Sequence, residues 1–288
     1  MTLPAAIETS VNAAIDLLTS KIQCSTEIAK THQVVFVTGW ASDDDTINAI
    51  GVYLVGLLAS TIATTLTVRA SVEDTVRDRL ELLVNVTAIT GTPTAPLSND
   101  KKQDERNPWI AEGLWHLCFL LSSRKGEFHP MGQIIALDQP HIGAKDHGFD
   151  VVALYETSSA EFGVSVVECK AYENDANKAI SNAVSFFRAF DSGEHDTRIR
   201  QVVAQMRDLL PEAKQRAISP SLWKRRRSYV PNPHYDAKNV IDWDNTRSSF
   251  SRLGSPVIVM PHAVQDFSSF FDQVGVAMMR FALSVQNV

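Results

Sequence analysis

The sequence predicts an α/β protein in which strands and helices are mixed along the chain. Three observations carry that expectation. Short β-rich runs at residues 33–38, 151–155 and 162–167 alternate with stretches whose apolar residues recur at helical spacing, of which 175–190 is the clearest. The 288 residues are 44% hydrophobic and 21% charged, an ordinary balance for a chain that buries a core of its own. The run Pro-Val-Ile-Val-Met at 256–260 is apolar throughout, which suits a strand at the centre of a sheet, covered on both faces.

Taken in order, residues 7–28 place Val11, Ala14, Ile15, Leu18 and Ile22 on one helical face, and 33–38 (QVVFVT) is a strand closed by Gly39. Residues 46–68 carry no charge and are long enough to span a bilayer. Asn48, Ser60 and five threonines dilute the stretch, Gly51 and Gly56 interrupt it, and Asp43-Asp44-Asp45 reads as a helix N-terminus. A buried helix over 46–59, followed by a strand through Leu66 and Val68, is expected instead of a membrane span. A helix over 72–83 is capped by Ser71 with Glu73 and Asp74 in its first turn, and 84–89 reads as a strand. Residues 1–92 thus form an N-terminal α/β docking or structural region without a catalytic constellation. Residues 93–107, polar and bracketed by Pro93, Pro96 and Pro108, read as a linker or exposed loop. Residues 108–288 form the second unit. It begins with a helix bearing Glu112, whose apolar side is Ile110, Leu114, Leu117, Cys118 and Leu121. A strand at 132–137, the runs 151–155 and 162–167, a helix over 175–190 capped by Asp175, a helix with a basic face over 197–210, the 256–260 strand and an apolar helix over 267–285 follow.

Chemistry concentrates around Asp150 and the triplet Glu168-Cys169-Lys170, seventeen intervening residues apart. The two β-runs between them are separated by a short polar turn, so a hairpin would bring Asp150 and Glu168 to one edge. Glu168 and Lys170, two apart on a strand, point to the same face, and Cys169 points into a core. Two carboxylates and the Cys169 backbone carbonyl are the oxygen ligands that Mg²⁺ or Mn²⁺ takes. Lys170 would orient a water attacking a phosphodiester and stabilise the charge that develops.

Asp150…Glu168-x-Lys170 resembles the signature of the PD-(D/E)xK nuclease superfamily, with Phe149 where that signature places proline. The resemblance implies a restriction-endonuclease-like core, a central mixed sheet flanked by helices, here with an N-terminal α/β extension. It also implies an acidic residue from the first core helix, a place that Glu112 fits. The strings ECKAY, DANKAISNAVSFF and SYVP resemble, over residues 110–235, the nuclease-like subunit of Hachiman-type antiphage systems. That resemblance implies a Mg²⁺-dependent DNA endonuclease or exonuclease kept quiet beside a helicase or other ATPase subunit. The other class of function is a non-catalytic, nucleic-acid-binding or regulatory subunit that keeps the fold without turnover.

Charge is unevenly placed. The net charge is −6, yet residues 198–227 hold nine Lys and Arg against Asp208 and Glu212, leaving −13 on the remainder. Lys224-Arg225-Arg226-Arg227, flanked by Trp223 and Tyr229, is the expected nucleic-acid contact. Lys178, shortly after the Glu-x-Lys strand, reads as a surface lysine or as a residue facing the scissile phosphate. His129, His141 and His147 lack the spacing of a zinc site. Cys24, Cys118 and Cys169 form no CxxC pair, so neither a disulfide framework nor a zinc ribbon is expected, and a cytoplasmic location suits them. Residues 1–8 lack a basic segment before an apolar core, so no secretory signal is expected.

Overall fold

The structure is a computed structural model that describes residues 3–40, 43–62, 78–125, 131–138, 149–243 and 248–285. The chain runs through α1 (Leu3–Lys21), β1 (Gln23–Ile28), β2 (Gln33–Thr38), α2 (Asp44–Leu58) and α3 (Arg79–Thr90). The single turn α4 (Asn99–Lys101) passes through a π-helical turn, Lys102–Arg106, into α5 (Asn107–Lys125). Then come β3 (Gln133–Leu137), β4 (Val151–Glu156), β5 (Phe162–Ala171), α6 (Ala176–Asp191), α7 (Asp196–Asp208) and α8 (Glu212–Ala217). β6 (Arg227–Asp236), β7 (Ile258–Val259), β8 (His262–Val264) and α9 (Phe267–Ser284) complete it.

The fold is mixed α/β, with two mixed sheets. The larger has the order β3-β4-β5-β6-β8. Its first three strands are antiparallel neighbours, and β6 and β8 are added parallel. Both faces are covered, which is why its strands read as nearly continuous apolar runs. Alternation divides them: Val151, Ala153, Tyr155, Val167 and Cys169 enter the core shared with α1, α2, α5 and α9. Val152, Leu154, Val164 and Val166 enter a second core with Ile180, Phe187, Ile199 and Val203 of α6 and α7. The smaller sheet has the order β1-β2-β7.

Several expectations change. The helix expected over 7–28 ends at Lys21, because residues 23–28 pair antiparallel with β2 instead. The strand expected at 84–89 lies inside α3: Leu82, Val86 and Ile89 share its buried face, and Asp78 caps it by accepting from the Glu81 N–H. The same helix covers the end of the one expected over 72–83, whose earlier residues, with Ser71, Leu66 and Val68, lie outside the described residues. The 93–107 linker is helical from Asn99 onward and leads directly into α5. The apolar core crosses the boundary set there, since β2 pairs with β7 and one cluster holds Ile7, Tyr53, Trp115 and Phe271.

The 256–260 strand is buried but lies at the edge of the small sheet, where β7 pairs with β2 and Val257 bridges to Tyr229 of β6. β6 itself contains Pro231 and Pro233, residues that argue against a central strand. Its backbone alternates: the Tyr229 N–H reaches Pro256 O, away from β5, so positions 231 and 233 turn the same way. On that side β8 begins pairing only at His234, and residues 256–260 bond to β6 through the Tyr229 N–H to Pro256 O and the Met260 N–H to Pro231 O, neither of which uses a proline N–H.

α2 forms as expected, capped by Asp43, which accepts from the Thr46 N–H at 2.8 Å. Gly51 marks the crossing of α2 with α9, since a Cβ there would lie 2.7 Å from Ala277 Cβ. Among the described residues no helix is long and apolar enough to cross a membrane.

Candidate active site

The β4–β5 hairpin builds the site. Its register pairs Val151 with Val167, so Asp150, the next residue outward, stands across from Glu168. An Asp150 carboxylate oxygen accepts the Cys169 backbone N–H at 2.6 Å, which ties the residue ahead of β4 to the strand opposite. Glu168 Oε1 and Lys170 Nζ are 2.5 Å apart, an ion pair on the face of β5 that also carries Val164 and Val166. Asp150 and Glu168 are both buried. Lys170 is partly exposed, so the pair opens toward solvent at the ammonium end.

Burial pulls the Lys170 ammonium down, but the charges of Glu168 and Asp150 and the hydrogen bond to Glu168 outweigh it and hold its pKa above the ordinary lysine value. Lys170 is therefore a donor and a fixed positive charge at neutral pH, and not a base. Burial first, then the charges of Asp150, Glu112 and Glu168, push the Cys169 thiol well above its usual range. Cys169 is an inert buried thiol. Glu112, half-buried on α5, is one of the charges acting on Cys169, and α5 packs on the Cys169 side of the sheet, opposite the Glu168–Lys170 face. Asp150, Glu168, Cys169 and Lys170 thus stand together at one end of the hairpin, while Glu112 lies on the helix that covers the opposite face of the sheet.

Residues 224–227 stand apart from this group. Lys224 pairs with Asp196 at 2.7 Å, Arg226 with Glu161, and Arg227 with Asp191. Arg227 also donates to Tyr229 Oη at 2.7 Å and to Trp223 O at 3.1 Å. Of the four, Arg225 alone is exposed and in no ion pair among the described residues. Arg227 aligns with Val164, whereas Glu168 aligns with Pro231. The tract therefore begins about 13 Å down the sheet from the carboxylates.

Two arrangements escaped the sequence. Tyr172 follows β5 on the Glu168–Lys170 face; Asn182 Nδ2 donates to its hydroxyl at 2.9 Å, and Lys178 Nζ lies 5.4 Å from its ring centre. The i, i+4 spacing of Lys178 and Asn182 on α6 was the available signal. Arg198 of α7 lies over the ring of Phe149, 5.5 Å from its centre, a contact that no local pattern announces.

Asp150, Glu168 and the Cys169 carbonyl form an all-oxygen donor set, the chemistry that hard divalent cations take. Among the described residues no group of three or more His, Cys, Asp or Glu side chains is arranged to hold a metal ion. His129, His141 and His147 lie outside the described residues. Comparison with protein-family models, curated proteins and solved structures found no match.

Proposed function

We propose that this chain is a metal-dependent nuclease that hydrolyses phosphodiester bonds of DNA, on a restriction-endonuclease-like core formed by α5, β3, β4, β5, α6 and β6. The observation that carries the reading is the hairpin register that sets Asp150 across from Glu168 and puts Lys170 on the same face, beside Glu168. Asp150 and Glu168 would hold Mg²⁺ or Mn²⁺, with the Cys169 carbonyl and, from the other side of the sheet, Glu112 assisting. When bound, such an ion supplies charge neutralisation at the phosphoryl group and a more acidic water. Lys170, kept protonated by its carboxylate neighbours, orients the attacking water and stabilises the negative charge that grows on the phosphoryl oxygens as the bond to the leaving oxygen breaks.

The reading extends to an antiphage effector working with a helicase or other ATPase. Its support is electrostatic: charges outside 198–227 sum to −13, and three of the four cations at 224–227 are already paired with carboxylates. Such a surface grips DNA poorly without help. The closed Glu168–Lys170 pair also favours a second reading, a regulatory subunit in which the pair only stabilises the sheet. One experiment separates the two. With Mg²⁺ or Mn²⁺, the purified complex should cut plasmid DNA, and Glu168→Ala or Lys170→Ala should abolish cutting while circular dichroism and solubility are retained. Undiminished cleavage by the folded double variant would overturn the nuclease assignment.

A further inference from the structure

One face of α9, with Phe270, Phe271, Val274, Met278 and Ala282, enters the main core. A second stripe, Asp272, Gly275, Val276, Met279, Arg280 and Leu283, follows helical spacing and lines a cleft of about 460 Å³. The facing wall is the turn after α3, with Pro93, Pro96 and Leu97, and the π-helical turn adds Lys102 and Arg106. Val276 and Leu283 are apolar yet 56% and 46% exposed. The facing wall is built by its own backbone. Gly91 takes a φ of +71°, which glycine adopts at no steric cost, and its N–H reaches Thr87 O at 2.8 Å. Thr92 and Ala95 then close the turn by exchanging backbone bonds of 3.0 and 3.2 Å. A formed, mostly apolar cleft with a few fixed polar groups is the usual shape of a small-molecule site.

The charges on its walls select the ligand. Three cations and one carboxylate line the cleft, in a protein whose net charge is −6. Asp272 is shared by two of those cations: Lys102 reaches both its oxygens at 3.0 Å, and Arg106 donates to it at 2.5 Å. The Arg106 side chain is only 4% exposed, and Asn107 Oδ1 fixes it by accepting from Nε at 3.0 Å and from Nη2 at 2.9 Å. Two cations on one carboxylate cancel its repulsion of an incoming anion. Arg280 is left over. It is exposed, donates through one terminal nitrogen to Asn48 Oδ1 at 3.0 Å, and is in no ion pair among the described residues. A guanidinium with donors to spare beside an apolar wall matches a molecule that has an apolar chain and a single anionic group.

We propose that this cleft binds a small amphipathic carboxylate, its chain laid along Val276, Met279 and Leu283 and its carboxylate held by Arg280. The cleft shares no lining residue with the acid–lysine set, so the inference is independent of the nuclease reading.

The test uses decanoate as the ligand and the full chain, below micellar concentrations, with the fluorescent apolar anion anilinonaphthalene sulfonate as reporter. Reporter fluorescence should rise to saturation at one site and be reversed by decanoate. Decyltrimethylammonium, with the same chain length and the opposite charge, should compete at least about tenfold more weakly, since it lacks the charge-assisted contact. Arg280→Ala should weaken decanoate about tenfold, the loss expected for one such contact, without weakening decyltrimethylammonium. Val276→Asp, which sets a carboxylate in the apolar wall, should abolish decanoate binding. Both positions are exposed, so circular dichroism and the urea midpoint should be retained. Leu283→Gln, at the exposed far end of the stripe, is the alternative should Val276→Asp unfold, and should weaken decanoate about fivefold. Equal competition by the two decyl compounds would overturn the inference. So would undiminished decanoate binding by the folded Val276→Asp and Arg280→Ala variants, or the absence of saturable binding to wild type.

Discussion

The Glu168–Lys170 pair can be tested without any catalytic assay. Lys170→Met removes an ammonium 2.5 Å from a carboxylate whose side chain is only 8% exposed. Breaking a buried pair by removing one partner costs about 3–5 kcal/mol, because the remaining charge is left uncompensated. The Lys170 side chain is 27% exposed, so water reaches the pair, and the low end of that range, about 3 kcal/mol, is expected. Glu168→Gln, made in the Lys170→Met background, removes the stranded charge. The double variant should therefore recover about 2 kcal/mol of what the additive sum would lose, a coupling typical of residues in direct contact. The assay is urea unfolding followed by circular dichroism at pH 7 without divalent metal. Mg²⁺ added to wild type at a hundred times its dissociation constant should add about 2.7 kcal/mol, and nothing comparable to Glu168→Gln. Single-variant effects that add to within about 0.5 kcal/mol would refute the argument, since they would show that each side chain is stabilised by something other than its partner.

Three further outcomes follow from the same structure. His234 and His262 are buried with their Nδ1 atoms 2.9 Å apart, and burial lowers both pKa values, that of His262 to about 3. Their stabilisation is complete above the unfolded-state value near 6.5 and is lost as pH falls below it, by up to about 1.4 kcal/mol per pH unit for each histidine; a stability that does not change between pH 7 and 5.5 would contradict this. Gly163→Ala would put a Cβ 2.2 Å from Cζ of Tyr155, which is buried directly across the hairpin, and should destabilise by about 1–3 kcal/mol, read as a lower urea midpoint; an unchanged midpoint would contradict this. Arg227→Ala should lower stability by about 2 kcal/mol through loss of its half-hidden bonds to Asp191 and Tyr229, whereas Arg225→Ala should leave stability unchanged and reduce only the salt slope of DNA binding, as parallel unfolding and binding titrations would show.

The parts of this protein that were legible in its sequence are those in which a local rule and the tertiary environment agree. The alternation of β4 and β5, the polar turn between them and the two-residue spacing of Glu168 and Lys170 are local, so residue order alone implies the hairpin and its facing carboxylates. The same holds for α6, with its Asp175 cap, and for α2, with its Asp43 cap. Where the environment overrode propensity, the reading failed. Val84 and Val86 suggest a strand, yet burial of Leu82, Val86 and Ile89 on one face selects a helix. β6 contains Pro231 and Pro233 and was announced by no local pattern; it holds because the bonds to residues 256–260 use the Tyr229 N–H and the Pro231 carbonyl, neither of which needs a proline N–H. The cations at 224–227 advertised themselves by density, but pairing with Asp191, Asp196 and Glu161, which are distant in sequence, commits three of them to the fold. Arg198 and Phe149, forty-nine positions apart, meet only because α7 packs over the sheet beside α6. Charge and periodicity are properties of neighbouring residues, and sequence alone determined what depends on them. Which charge is neutralised, and which is held against a ring at the edge of the site, depends on residues that only chain folding brings together.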